Sequence, residues 1–268
     1  MTTSILLLSL TSLLGACSGS SVMEREYAKA VKSIEQGKSA EGTSALKALL
    51  EGKASPELKE KASMSLTDTY ARQGEFVKLN NILAYIVTSS KDSQKRLSAK
   101  QRMADNSYFN LRQYDDAITH YKQLIQIQHN FFSNRLMVVK SYFNLNELAQ
   151  SKSEADDLLK SVSQLDQTTV FELMLLKANI LFSDKKYKNA AEAFSKVVSD
   201  FPEQARIHFV RLNLAMSYEE EGLFKQALVT LKELRDTYHT PSFIDSKIQH
   251  LQSKMQYAPG GTTHGFAR

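Results

Sequence analysis

Apolar and polar positions along this chain recur in a fixed order. Between Arg211 and Leu234, Leu214, Ala215 and Tyr218 share one face of a helix, and Gly222 interrupts it. Phe224, Ala227, Leu231 and Leu234 then share one face of a second helix, at the three- and four-residue spacing of an amphipathic segment. Ala227 is small because two helices crossing there leave no room for a side chain. Aligning the chain on that position gives Gly42, Leu79, Ala117, Ser151, Ala190 and Ala227, separated by 37, 38, 34, 39 and 37 residues. Four residues later stand Leu46, Leu83, Tyr121, Ala155, Phe194 and Leu231; seven later, Leu49, Ile86, Leu124, Leu158, Val197 and Leu234. Three earlier come Ser39, Phe76, Tyr114, Leu148, Tyr187 and Phe224; nine earlier, Ser33, Tyr70, Tyr108, Tyr142, Leu181 and Tyr218. Rows at helical spacing on both sides of a break predict a helical hairpin, repeated six times.

The punctuation agrees. Gly37, Gly74 and Gly222 fall between the two helices of a hairpin, where a left-handed residue ends the first helix at little cost. Pro56, Pro202 and Pro241 fall between hairpins, where a helix can begin but not continue. Inter-hairpin loops absorb the extra length, Ser161 to Thr168 and the surroundings of Asp200 among them. Leu79 is the misfit, a large residue at the small position, and Gly42 with Ser39 marks the first hairpin as a degenerate cap. After Pro241 an apolar side of Phe243, Ile244, Ile248, Leu251 and Met255 predicts a closing helix over 241–256. Residues 257–268, with Pro-Gly-Gly-Thr-Thr and no periodicity, read as a disordered tail.

This order resembles the tetratricopeptide repeat (TPR), with its Leu-Gly-x-x-Tyr, then a small residue, then an aromatic, then Pro, in units of about 34 residues. The resemblance implies an all-α TPR helical-hairpin solenoid over 23–240, of about six repeats, with a C-terminal capping helix. In that family the first helices line a concave face that binds a protein or peptide. Counting back from the small position places Phe109, Phe143 and Phe182 on that face, beside Arg102, Asn106, Lys140 and Asn179. Aromatic anchors among amides and cations suit an extended peptide or a helix. The competing reading makes the three phenylalanines packing residues between neighbouring first helices. The carboxylate clamp of chaperone-binding TPRs does not fit. Asn179 and Asn213 match its asparagines, but Leu175 stands where its first lysine belongs.

The N-terminus adds an address. Met1 to Ala16 is uncharged, with an apolar run from Ile5 to Leu14 of signal-peptide length. Leu14-Gly15-Ala16-Cys17 then resembles a bacterial lipobox. That resemblance implies a signal peptide over 1–16, a lipid on Cys17, and a tether over 17–22. An ordinary secretory signal, or a buried apolar segment with a chance cysteine, is the alternative. Ser18 resembles the outer-membrane sorting residue, so the expected location is the periplasmic face of an outer membrane. Cys17 is the chain's only cysteine, which leaves no disulfide framework.

Composition narrows the rest. A net charge of +5 with acids mixed among bases, and no basic arm, argues against nucleic acid as a partner. No phosphate loop, dinucleotide fingerprint or nucleophile elbow occurs, and no two of the six histidines share metal-ligand spacing on one helix. The chain therefore reads as a non-enzyme without cofactor or metal. It resembles the TPR lipoprotein of the outer-membrane β-barrel assembly machinery and the pilotin lipoproteins of type IV pili. An accessory role with cell-wall hydrolases or in cell division is the competing expectation.

Overall fold

A computed structural model of the chain describes the backbone of residues 11–128 and 132–257, with side chains from residue 22 to 256 within those stretches. Among the described residues there are fourteen α-helices, one 3-10 turn and no strand. The first hairpin pairs α1 (Thr11–Glu35) with α2 (Ser39–Glu51), the second α3 (Pro56–Gln73) with α4 (Phe76–Ser89), the third α5 (Ser93–Phe109) with α6 (Tyr114–Ile127). The fourth pairs α7 (Phe132–Asn144) with α8 (Leu148–Leu159), and the fifth α9 (Gln167–Ser183) with α10 (Tyr187–Asp200). In the sixth, α11 (Pro202–Ile207) and α12 (Val210–Glu220) precede α13 (Phe224–Arg235), and α14 (Pro241–Tyr257) closes the array. Every second helix starts at the row three residues before the small position, from Ser39 to Phe224.

Two compact units divide the chain, Met1–Leu124 and Ile125–Arg268. The core of the first gathers Leu46, Leu49, Leu66, Tyr70 and Leu83. Three clusters fill the second: Leu158 with Leu173 and Ile180, Phe194 with Val197 and Val210, and Leu231 with Leu234, Ile244 and Leu251. All six small positions are buried. So is the row four residues later, none of which exceeds 3% exposure. Burying a side chain of Leu or Phe size is worth about 1.5–3 kcal/mol, so this row supplies much of the drive that holds each hairpin shut.

The turns inside the hairpins share a device. A left-handed residue stands five positions before each small residue: Gly37, Gly74, Arg112, Asn146, Lys185 and Gly222. In all but the third hairpin the turn then closes by paired backbone bonds that satisfy the last carbonyls of the first helix, whereas in the third Gln113 N–H donates to Ser107 at 2.8 Å. In the fifth hairpin Lys186 N–H donates to Leu181 at 2.9 Å and Lys185 N–H to Phe182 at 3.0 Å. Gly222 and Leu223 repeat the pattern at 3.0 and 2.8 Å. With the entry fixed this way, α2, α4, α8, α10 and α13 need no side-chain cap, and none is present. First helices start differently. Ser55 accepts from Leu58 N–H ahead of Pro56, and Asp92 and Asp166 cap α5 and α9 in the same manner.

Several positions depart from the sequence reading. Gly42 is no weak point: a Cβ there would lie 2.5 Å from the Ala30 carbonyl oxygen, so α1 and α2 approach closely because the residue is glycine. Leu79, 5% exposed, is absorbed into the first unit's core. Asp200 is the last residue of α10, paired with Lys196 at 2.9 Å, not a loop residue. Phe243 is 43% exposed and stacks on Tyr238, while Ile244 and Leu251 carry the burial of α14. The first helix of the sixth hairpin is broken. Phe209 adopts φ 51° between α11 and α12, and its ring packs edge-on against Tyr238 at 4.7 Å. Of the expected signal peptide over 1–16, residues 1–10 lie outside the described residues, as do residues 258–268 of the expected tail over 257–268; residues 11–22, the expected tether among them, fall within α1, and the side chain of Cys17 again lies outside the description.

Candidate functional site

Within the first unit, the N-terminal halves of α3 and α5 and the C-terminal end of α4 enclose a recess of about 620 Å³. Helical spacing builds its walls. Lys59, Ser63 and Glu60, Met64 recur at four-residue steps on α3; Lys95, Ala99 and Arg102 share one face of α5. The floor is apolar, with Leu83 and Ala99 buried and Ile86 beside them. Met64 stands on the wall at 54% exposure, a flexible apolar side chain open to solvent.

The rim is charged. Lys59, Lys91, Lys95 and Arg102 line it together with Glu57, Glu60 and Asp92. Lys95 forms an ion pair with Glu60 across the two walls. Asp92 accepts from the backbone N–H groups of Gln94 and Lys95 at 2.8 and 3.3 Å, so its charge serves the start of α5. The Glu57 carboxyl is held below the usual carboxylate range by its own backbone N–H, then by the Ser55 hydroxyl and the charge of Lys91. Lys59, Lys91 and Arg102 enter no ion pair within 4.0 Å among the described residues.

The seven residues picked out from the sequence divide between the units. Arg102, Asn106 and Phe109 stand on α5, but only Arg102 lines the recess. Asn106 is 3% exposed, and its amide donates to the Phe76 carbonyl at 2.9 Å and to Asn80 Oδ1 at 2.8 Å. That corrects the expectation for Asn106: its hydrogen-bonding capacity is used to fasten α5 to α4. Phe109 is 62% exposed at the end of α5, touching Tyr108 edge-on at 4.8 Å. In the second unit Lys140 on α7 pairs with Glu172 on α9 at 2.6 Å. Asn179 Oδ1 accepts from Asn213 Nδ2 at 3.5 Å, joining α9 to α12. Phe143 and Phe182 are half-buried against the cores beneath them, Phe182 edge-on to Tyr187 at 5.4 Å. The three phenylalanines therefore do not share one environment.

Of the residues lining the recess, the sequence pattern reaches Arg102, fifteen residues before Ala117; Met64 holds the same place before Leu79. The pattern misses Lys59, Lys91 and Lys95. Those lie one or more turns further upstream, outside the repeating rows, and the visible signal for them is the density of bases from Lys91 to Arg102. Among the described residues no group of three or more His, Cys, Asp or Glu is placed to hold a metal ion. No described helix is long and apolar enough to cross a membrane.

Comparison with known proteins defines the class. Residues 99–127, 172–203 and 210–238 match the family model of the tetratricopeptide repeat. These segments coincide with the third hairpin, the fifth, and the sixth from α12 onward. A TPR protein from Parabacteroides merdae has a similar fold, with a TM-score of 0.56 at 14% identity, over 87% of this chain and 88% of that one. MamA is similar at 0.54 and 13% identity, over 74% of this chain and 96% of its own. The apo form of RapI is similar at 0.58 and 15% identity, over 88% and 72%. No match was found among curated proteins. The fold is that of TPR helical-hairpin arrays.

Proposed function

We propose that this protein is a lipid-anchored TPR scaffold of the bacterial envelope, held by Cys17 on the periplasmic face of the outer membrane. There it grips a segment of another envelope protein during barrel or secretin assembly. The recess between α3 and α5 carries the reading: an apolar floor with an exposed methionine and a charged rim is a seat for a peptide side chain and its flanking backbone. The anchor rests on the apolar run ending in Leu14-Gly15-Ala16-Cys17. Stable attachment takes about two acyl chains or more, which lipoprotein processing at Cys17 supplies.

Two measurements test this together. Labelled palmitate enters the wild type but not Cys17→Ser, and only the wild type stays with outer membranes on fractionation. A photo-cross-linking residue at Met64 captures a barrel-assembly subunit or a pilus secretin, while the same residue at Val77, exposed on α4, does not. Absence of palmitate, or capture of the same partner from Val77 but not Met64, overturns the proposal. Cell-wall hydrolases captured at Met64 would replace the assembly role with the accessory one.

A further inference from the structure

Charge at the recess is not balanced once internal commitments are removed. Glu60 and Lys95 satisfy each other, and Asp92 is committed to the first turn of α5. Three cations, Lys59, Lys91 and Arg102, then face one anion, Glu57, whose charge Lys91 already meets in part. The surrounding stretch deepens the imbalance: Lys91, Lys95, Arg96, Lys100 and Arg102 occur with Asp92 as the only acid between them. Arg96 donates to the carbonyls of Ser90 and Lys91 at 2.9 and 3.1 Å, which holds the loop carrying Lys91 against the mouth. Both α3 and α5 begin at this mouth, with first-turn N–H groups already taken by Ser55 and by Asp92.

From this we infer that the recess selects an acidic peptide segment carrying one large apolar side chain. The inference rests on the scaffold reading above and specifies its ligand. The apolar side chain sits on Leu83 and Ile86 against Met64, where water is displaced from an apolar floor. Carboxylates on either side of it meet Lys91 and Arg102, which enter no ion pair within 4.0 Å among the described residues. A basic segment of the same shape finds only Glu57, and meets repulsion elsewhere. Selection by rim charge acts on encounter and specificity, and weakens with salt.

The test uses the full chain carrying Cys17→Ser, so that the acyl group does not intervene, and three fluorescein-labelled octapeptides read by anisotropy. Each has a central Leu-Phe pair, with three Glu, three Gln or three Lys on either side. The Glu peptide should bind at least tenfold tighter than the Gln peptide at low salt, with the difference lost at high salt, and the Lys peptide should not bind. Lys91→Glu with Arg102→Glu should weaken the Glu peptide tenfold or more; both side chains are exposed and unpaired, so circular dichroism should be unchanged. Equal binding of Glu and Gln peptides, abolished by Met64→Glu, would overturn the acidic preference while leaving the scaffold reading intact. No binding by any peptide would remove both. Binding to anionic phosphatidylglycerol vesicles in place of the Glu peptide, lost in the double variant, would make the surface a membrane contact and overturn the inference.

Discussion

The left-handed turn inside each hairpin gives a prediction with a sign that inverts between positions. Lys185 holds φ 58° where Gly222, one hairpin later, holds φ 78°. A left-handed conformation costs an L-residue about 1–2 kcal/mol. Glycine avoids that cost but is freer in the unfolded chain, which returns roughly 0.5–1 kcal/mol. Lys185→Gly should therefore stabilise the second unit by about 0.5–1 kcal/mol, since the Lys185 side chain enters no ion pair among the described residues. Gly222→Ala should do the reverse by a similar amount. A Cβ on Gly222 meets nothing within 4 Å, so no clash contaminates the torsional term. With a urea slope of about 2 kcal/mol/M, the midpoints should move roughly 0.25–0.5 M in opposite directions. Urea titrations followed by circular dichroism measure this. If both variants move the same way, or Lys185→Gly lowers the midpoint, the turn is not limited by backbone conformation.

Other positions test the packing and the charges. Gly42→Ala should destabilise by about 1–3 kcal/mol, against the usual gain for that change within a helix, because the added Cβ meets the Ala30 carbonyl; a raised midpoint would refute the close crossing. Tyr121 is fully buried, and its hydroxyl donates to Asp105 at 2.8 Å, so burial and that carboxylate push the phenol up. Tyr121→Phe should cost about 1.5–3 kcal/mol in urea titration, as expected for losing a bond to a charged acceptor. Burial first, then Lys100, holds His120 below the ordinary imidazole value, with Asp116 opposing. The unfolded chain then binds the proton more readily, so stability should be full above about pH 6.5 and fall as pH drops through the folded value; His120→Gln should flatten that slope. Phe109→Ala should leave the urea midpoint within about 0.5 kcal/mol of wild type, whereas Phe143→Ala, half-buried, should cost about 2 kcal/mol.

Most of the fold is visible in the sequence because each repeating row answers a requirement internal to one hairpin. Ala190 must be small for α9 and α10 to cross; Phe194 and Val197 must be apolar to close the seam; Pro202 can stand only at a helix start. Those demands depend on neighbours a few residues away. Asn106 was misread because its partners are the backbone carbonyl of Phe76 and the amide of Asn80, on another helix some thirty residues earlier, and no spacing rule encodes that bond. Arg112 and Lys185 are also silent. Neither residue type favours a left-handed φ, and only the buried rows on both sides force them to adopt one. Phe209 escaped for a similar reason: its break depends on packing against Tyr238, which a periodic count across Pro202 to Glu220 smooths over.

The recess owes its position to the same division. Buried positions run along all of α3, Leu58 and Ala62 in its leading half and Leu66, Thr67 and Tyr70 beyond, and α5 repeats the arrangement with Ala99, Ala104 and Asn106. The charged side chains between them stand on the other faces, so their charges can vary without opening the core. Lys59 and Arg102 there, with Lys91 on the loop before α5, enter no ion pair within 4.0 Å among the described residues, over a floor that the core supplies through Leu83 and Ala99. A charge change at the rim should thus alter which segment binds while leaving the urea midpoint nearly fixed, and a floor change such as Leu83→Ala should lower both. Stability and recognition separate in this unit because they draw on different faces of the same two helices.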